Sequence, residues 1–200
     1  PPERANDVIL LDPRDTARPP GFNILEVHDE GQKDLVVNEV VQILQKLAAR
    51  LNPESIGPMF EHYLRNALLA LIEDPKATLV DVPRMFVDAD FRKGILARNT
   101  NPTVLQFWER EFAQSQRGQL SADMLSYVIS KLGRFIGSRV MRNLIGQAKS
   151  AFDVRTVMDE GKILLCSLSK GSLGDINSDL LGFVLVSKIQ IAALSRSALP

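Results

Sequence analysis

Val8-Ile9-Leu10-Leu11 and Lys162-Ile163-Leu164-Leu165-Cys166-Ser167-Leu168 decide how this chain folds. Each is a short apolar run without polar alternation. The first is closed by Asp12-Pro13, the second by the turn Ser169-Lys170-Gly171-Ser172-Leu173-Gly174. Continuous apolarity predicts strands buried on both faces, as in a parallel sheet. Leu180 to Leu194, interrupted by Lys188 and Gln190, predicts a core helix within a longer helix from about Asp175 to Arg196, buried on most sides.

Between the two strands the period changes. Arg14 to Phe22 holds two prolines and a glycine and predicts an extended connection. Val37, Val40, Val41, Leu44, Leu47, Ala48 and Leu51 then recur at helical spacing, and Asn52-Pro53 ends that helix. Phe60, Tyr63, Leu64, Ala67, Leu68, Leu71 and Ile72 repeat the pattern up to Asp74-Pro75. Asp81 is placed to cap a short helix to Val87, and Asp88 or Asp90 another. Asn101 before Pro102 combines a side-chain cap with proline at the first helical position. Trp108 and Phe112, four residues apart, read as core packing. Further helices are expected from near Ser121 to Ile136, over Arg139 to Leu144, and after Asp153, the last closed by Gly161. The layout is strand, helices, strand, helix: a predominantly α form of an α/β fold, with a helical bundle inserted between strands of a sheet.

With 200 residues, 45% of them hydrophobic, the chain can bury a sizeable core. Lys and Arg number 24, as do Asp and Glu, so no overall charge drives binding to nucleic acid or membrane. The charge is nevertheless segregated. Residues 1–34 carry four bases and eight acids, whereas residues 116–152 carry six bases and one acid. Lys131, Arg134, Arg139, Arg142 and Lys149 follow one another without an intervening acid, which makes them candidate contacts to DNA phosphates. The competing expectation is a solvated face, or pairing with Glu109, Glu111 or Asp123.

Ser169, Lys170, Gly171 and Gly174 form the candidate phosphate-binding loop, since a glycine-rich turn leading from a strand into a helix can present backbone N–H groups to an anion. The bland alternative is a tight turn using glycine for its backbone freedom. Neither the lysine-bearing phosphate loop nor the dinucleotide glycine fingerprint is present. His28 and His62 are isolated in sequence and Cys166 is the single cysteine, so no metal site, disulfide or nucleophilic triad is expected. The lone cysteine and the absence of an apolar leader make the cytoplasm the expected compartment. Both ends are proline-bearing and there is no initiator Met, which suggests a fragment of a longer protein.

Several segments in order resemble HerA–FtsK-type P-loop ATPases of type IV secretion and conjugative DNA transfer, the TraG/TraD-like coupling-protein group. They are Val8–Asp15 with Pro20–Leu25, Tyr63–Leu71, Phe107–Phe112, Lys131–Phe135, Arg142–Gln147 and Met158–Leu165, leading into Leu168–Gly171 and Leu173-Gly174. The resemblance implies a RecA-like motor domain interrupted by an all-α domain, hexameric rings, and ATP-driven movement of DNA. It divides the chain into 1–34 (motor strand and connection), 35–160 (all-α insertion) and 161–200 (motor strand and long helix). The nucleotide-binding loop and the acidic strand of that family are not in this sequence. ATP and Mg²⁺ are therefore expected of the parent protein and not of this chain, which should have no catalytic residue of its own. Expected partners are DNA, other ring subunits and secretion-system proteins. Two rival expectations stand beside this: a helical module that docks protein partners without touching DNA, and an enzyme with an unrecognised site, which the lack of clustered His, Cys and paired acids disfavours.

Overall fold

The structure is a computed structural model that describes residues 2–51, 57–115, 126, 128–130, 132–133 and 135–196. It is predominantly helical, with one two-stranded parallel sheet. Strand β1 (Val8–Leu11) pairs with β2 (Ile163–Cys166) in the register Val8 to Ile163, Ile9 to Leu164, Leu10 to Leu165 and Leu11 to Cys166. The two apolar runs are therefore neighbours, and every helix between them lies within one crossover connection.

Helix α1 (Lys33–Leu51) and helix α2 (Pro58–Leu71) pack on each other through their apolar stripes. Val37, Val41, Leu44 and Leu47 from the first, with Leu64, Ala67, Leu68 and Leu71 from the second, are fully buried. The next helices begin where the sequence places their caps. A capping box of Thr78 and Asp81 precedes α3 (Val82–Val87). Asp88 accepts from the Phe91 amide at the start of α4 (Ala89–Leu96). Asn101 accepts from the Thr103 amide at the start of α5 (Pro102–Gln106). α5 runs on through a π-helical stretch, Phe107–Phe112, into Ala113–Ser115. That wider turn sends Phe107, Trp108 and Phe112 inward together.

The helix expected from near Ser121 is helical at each of its described residues from 126 to 136; its start lies outside the described residues. α6 (Arg139–Ile145) is capped by Ser138, and α7 (Val154–Asp159) by Asp153, which accepts from the amides of Arg155 and Thr156. Gly161, at φ 61°, turns the chain into β2, a conformation that favours glycine. After β2 come the single-turn α8 (Lys170–Leu173) and the long α9 (Asp175–Arg196).

The extended connection after β1 is stitched to the far end of the helical section. The Phe22 amide donates to the Leu144 carbonyl at 2.9 Å, and the Ala151 amide to the Gly21 carbonyl at 2.7 Å. A Cβ at Gly21 would collide with the Lys149 carbonyl oxygen, so this close approach needs glycine. Asn23, fully buried, donates its side-chain amide to the carbonyls of Ala77 at 3.0 Å and Ala148 at 2.9 Å, while its own carbonyl accepts from the Leu25 amide.

Two expectations are corrected. The strands are not buried on both faces: Leu11 is fully buried, but Leu10 is 58% and Leu165 50% exposed. With two strands and, among the described residues, no layer on the other side, alternate side chains reach solvent. α9 is not buried on most sides either. It packs on α1 and α7 and touches the exit of β2, where Ser178 Oγ donates to the Leu168 carbonyl. Its opposite stripe stays open, with Phe183 42% and Val186 63% exposed. By length and composition this helix could cross a membrane, a property it shares with core helices of soluble proteins. The glycine-rich turn contains the single-turn α8.

Candidate nucleic-acid interface

Of the basic block, Lys131 and Arg134 lie outside the described residues. Arg139 and Arg142 stand three residues apart on α6, so they share a helix face. The reason they face outward is the helix's own pattern: Met141, Leu144 and Ile145 take the buried side. Lys149 is exposed in the coil that follows. None of these three cations is in an ion pair among the described residues, in contrast to the arginines at 14, 50, 84, 98 and 155. Glu111, one proposed competitor, is held by His62 Nε2 at 3.0 Å, and Asp123 lies outside the described residues.

The fold adds a residue that sequence reasoning did not single out. Arg18 is exposed in the connection after β1. Its neighbour Pro19 accepts, through its carbonyl, a hydrogen bond of 3.0 Å from Gln147 Nε2. The stitching of residues 19–23 onto 144–151 thus carries Arg18 toward the segment bearing Arg142 and Lys149. Nothing in the local sequence around Arg18 signals this, because the approach depends on hydrogen bonds between residues more than a hundred positions apart.

Arg18 also lines an open groove of about 480 Å³ with Leu10, Asp12, Arg14 and Asp15, at the C-terminal end of β1. The C-terminal ends of parallel strands are where open α/β sheets bind ligands. Here Arg14 is already engaged. Its side chain clasps both carboxylate oxygens of Asp12, at 2.9 Å and 2.7 Å, and this contact holds the Asp12 carboxyl down at about 2.

In the candidate phosphate loop, Gly174 is the candidate whose amide is engaged in a backbone hydrogen bond, to the Lys170 carbonyl. The amides of Ser172 and Leu173 donate to the Ser169 carbonyl. The Lys170 ammonium lies 3.5 Å from Asp175, an acid at the start of α9. Among the described residues no group of three or more His, Cys, Asp or Glu is placed to hold a metal ion.

Trp108 and Phe112 sit in the core, with ring centroids 4.8 Å apart and the indole N–H donating to the Asn66 carbonyl. They are unavailable for stacking on bases. No family model, curated protein or solved structure matches the chain.

Proposed function

We propose that this chain is the helical insertion, with its flanking strands, of an ATP-driven DNA-translocating or secretion-coupling motor of the kind it resembles. Its own part is contact with DNA and packing against other subunits of a ring. The reading rests on one observation above others: β1 pairs in parallel with β2 across the whole helical section. Parallel sheets are found covered on both faces and in larger sheets, and a RecA-like sheet would supply the missing neighbours of Leu10 and Leu165. Arg139, Arg142 and Lys149, which have no ion pair among the described residues, supply the DNA contact, from the cytoplasmic side. ATP and Mg²⁺ belong to the parent motor, and secretion-system proteins are the further partners. The chain alone should hydrolyse no ATP.

Fluorescence polarisation with single- and double-stranded DNA at two salt concentrations tests the DNA contact. If Arg139, Arg142 and Lys149 each neutralise one phosphate, log affinity falls against log salt with a slope of about −3 on duplex DNA. Changing Arg139 and Arg142 together to Glu should weaken binding to all sequences alike, because phosphate contacts carry no base information. Binding that ignores both salt and the double change would instead favour a module that docks protein partners. The open apolar stripe of Phe183 and Val186 speaks for that second reading.

A further inference from the structure

A half-open cavity of about 90 Å³ lies where the connection after β1, the coil leading into α7, and α9 meet. Val36, Phe152 and Ile191 form its apolar wall, and Glu26, His28, Asp153 and Lys188 its polar one. The polar groups are mostly committed. Glu26 Oε2 accepts the Ser150 amide at 2.9 Å. Asp153 takes the amide and hydroxyl of Thr156 on one oxygen, and His28 Nε2 lies 3.3 Å from the other. Arg155 donates to the carbonyl and hydroxyl of Ser195 and to Asp159.

Lys188 differs from them. Its Nζ donates to the Glu26 carbonyl at 3.1 Å, and among the described residues no carboxylate lies within ion-pair distance of it. An ammonium has three donors, so most of its capacity is unspent beside the cavity. Burial pushes its amine down to about 8, against the opposing pull of Glu26 and Asp153.

The charges around it select the ligand. Glu26 and Asp153 face the amine from the connection and the start of α7, and Glu39, bonded to Ser187, approaches from α1. Arg155 is shared with Asp159. An anion entering here would meet more negative than positive charge, whereas a neutral carbonyl compound meets no such penalty. Size narrows the choice. A cavity of roughly 150 Å³ holds a benzene, so a compound of about three to five non-hydrogen atoms suits this one.

We propose that Lys188 is a carbonyl-reactive amine whose cavity takes a small neutral aldehyde and holds it as an imine. The amine lone pair forms the C–N bond while the carbonyl π pair moves to oxygen, which takes a proton. The nitrogen gives up one proton to leave a neutral carbinolamine. The hydroxyl then takes a second proton and departs as water, and loss of the remaining nitrogen proton leaves C=N, with two protons moved from nitrogen to the departing water and no change of oxidation state. His28, with Asp153 beside it, and Glu26 are the proton carriers at hand.

The test is reductive trapping. The protein is incubated with propanal and cyanoborohydride, and propylation of individual lysines is followed by peptide mass mapping. Lys188 should react about tenfold faster than the exposed Lys93 and Lys149 at pH 7.5, since its free-amine fraction is far larger than that of an ordinary lysine. Its rate should reach half-maximum near pH 8, where a surface lysine continues to rise above pH 10. Reaction no faster than at Lys93 and Lys149, or a half-point above pH 10, overturns the proposal. So does protection of Lys188 by propionate, which would mark an anion site.

Discussion

The two halves of this molecule close their apolar surfaces in different ways. In the helical section, Tyr63, Phe86, Phe107, Trp108 and Phe112 pack edge-to-face, tilted and, for Tyr63 on Phe86, stacked, with centroids 4.8 to 6.4 Å apart, and all are buried. Trp108 is 3% exposed, and its N–H has a carbonyl partner. On the sheet side, Leu10, Leu165, Phe183 and Val186 lie open on β1, β2 and α9. A helix can bury one stripe against two or three neighbours and be complete, whereas a parallel strand pair has two faces to cover and two edges to pair. The aromatic cluster of the helical section is covered on all sides; the sheet side presents surface suited to a partner.

The largest effect should therefore come from the aromatic cluster. Trp108→Ala should cost about 3–5 kcal/mol in urea unfolding, from lost burial and the cavity left behind. A loss below about 1 kcal/mol would mean that the cluster does not carry the stability of this half. Next comes the seam between the halves. Asn23→Ala strands the carbonyls of Ala77 and Ala148 and the Leu25 amide, and should cost about 2–4 kcal/mol by the same measurement. A near-neutral result would show that the connection after β1 is held by Phe22 and the backbone bonds alone.

Asp153→Ala should cost about 1 kcal/mol as the loss of the α7 cap. Burial acts to raise the Asp153 carboxyl, but the Thr156 amide and hydroxyl, His28 and the Arg155 amide outweigh it and hold it below the usual carboxylate range. A carboxyl lowered by folding stabilises the protein above its unfolded pKa of about 3.9 and loses that contribution as the pH falls through the lower, folded value. Acid titration of the variant should thus be flatter than that of the parent below about pH 4; parallel curves would remove Asp153 from the acid limb. The smallest effect is expected on the open stripe. Phe183→Ser should change stability by no more than about 0.5 kcal/mol, and sedimentation should show less self-association. A cost above about 2 kcal/mol would mean that this face is covered in solution.

Much of the local structure was legible. Asp88, Asn101 with Pro102, Asp153 and Gly161 each act where the sequence places them, because caps and left-handed turns depend on a few adjacent atoms. The apolar stripes of α1 and α2 were equally readable, since a period near 3.6 fixes which face is buried. The Asp81 cap was half right: Asp81 works as the second member of a capping box begun by Thr78. The candidate site was less legible. Charge along the chain marked Arg139, Arg142 and Lys149, but could not include Arg18, nor show that the amides of Ser172 to Gly174 are spent on α8.

The sequence by itself determined the order of elements, their caps, and that two apolar runs would be strands of one parallel sheet. Only the tertiary structure decided which faces of those strands and of α9 meet another layer. A run of apolar residues states that burial would be favourable, yet burial requires a neighbour, and neighbours are set by contacts between distant residues such as Gly21 with Lys149 and Asn23 with Ala77 and Ala148. The same holds for Lys188. Its sequence context reads as a stray charge on an apolar helix, and only the meeting of that helix with Glu26, His28 and Asp153 makes it a half-buried lysine beside a cavity.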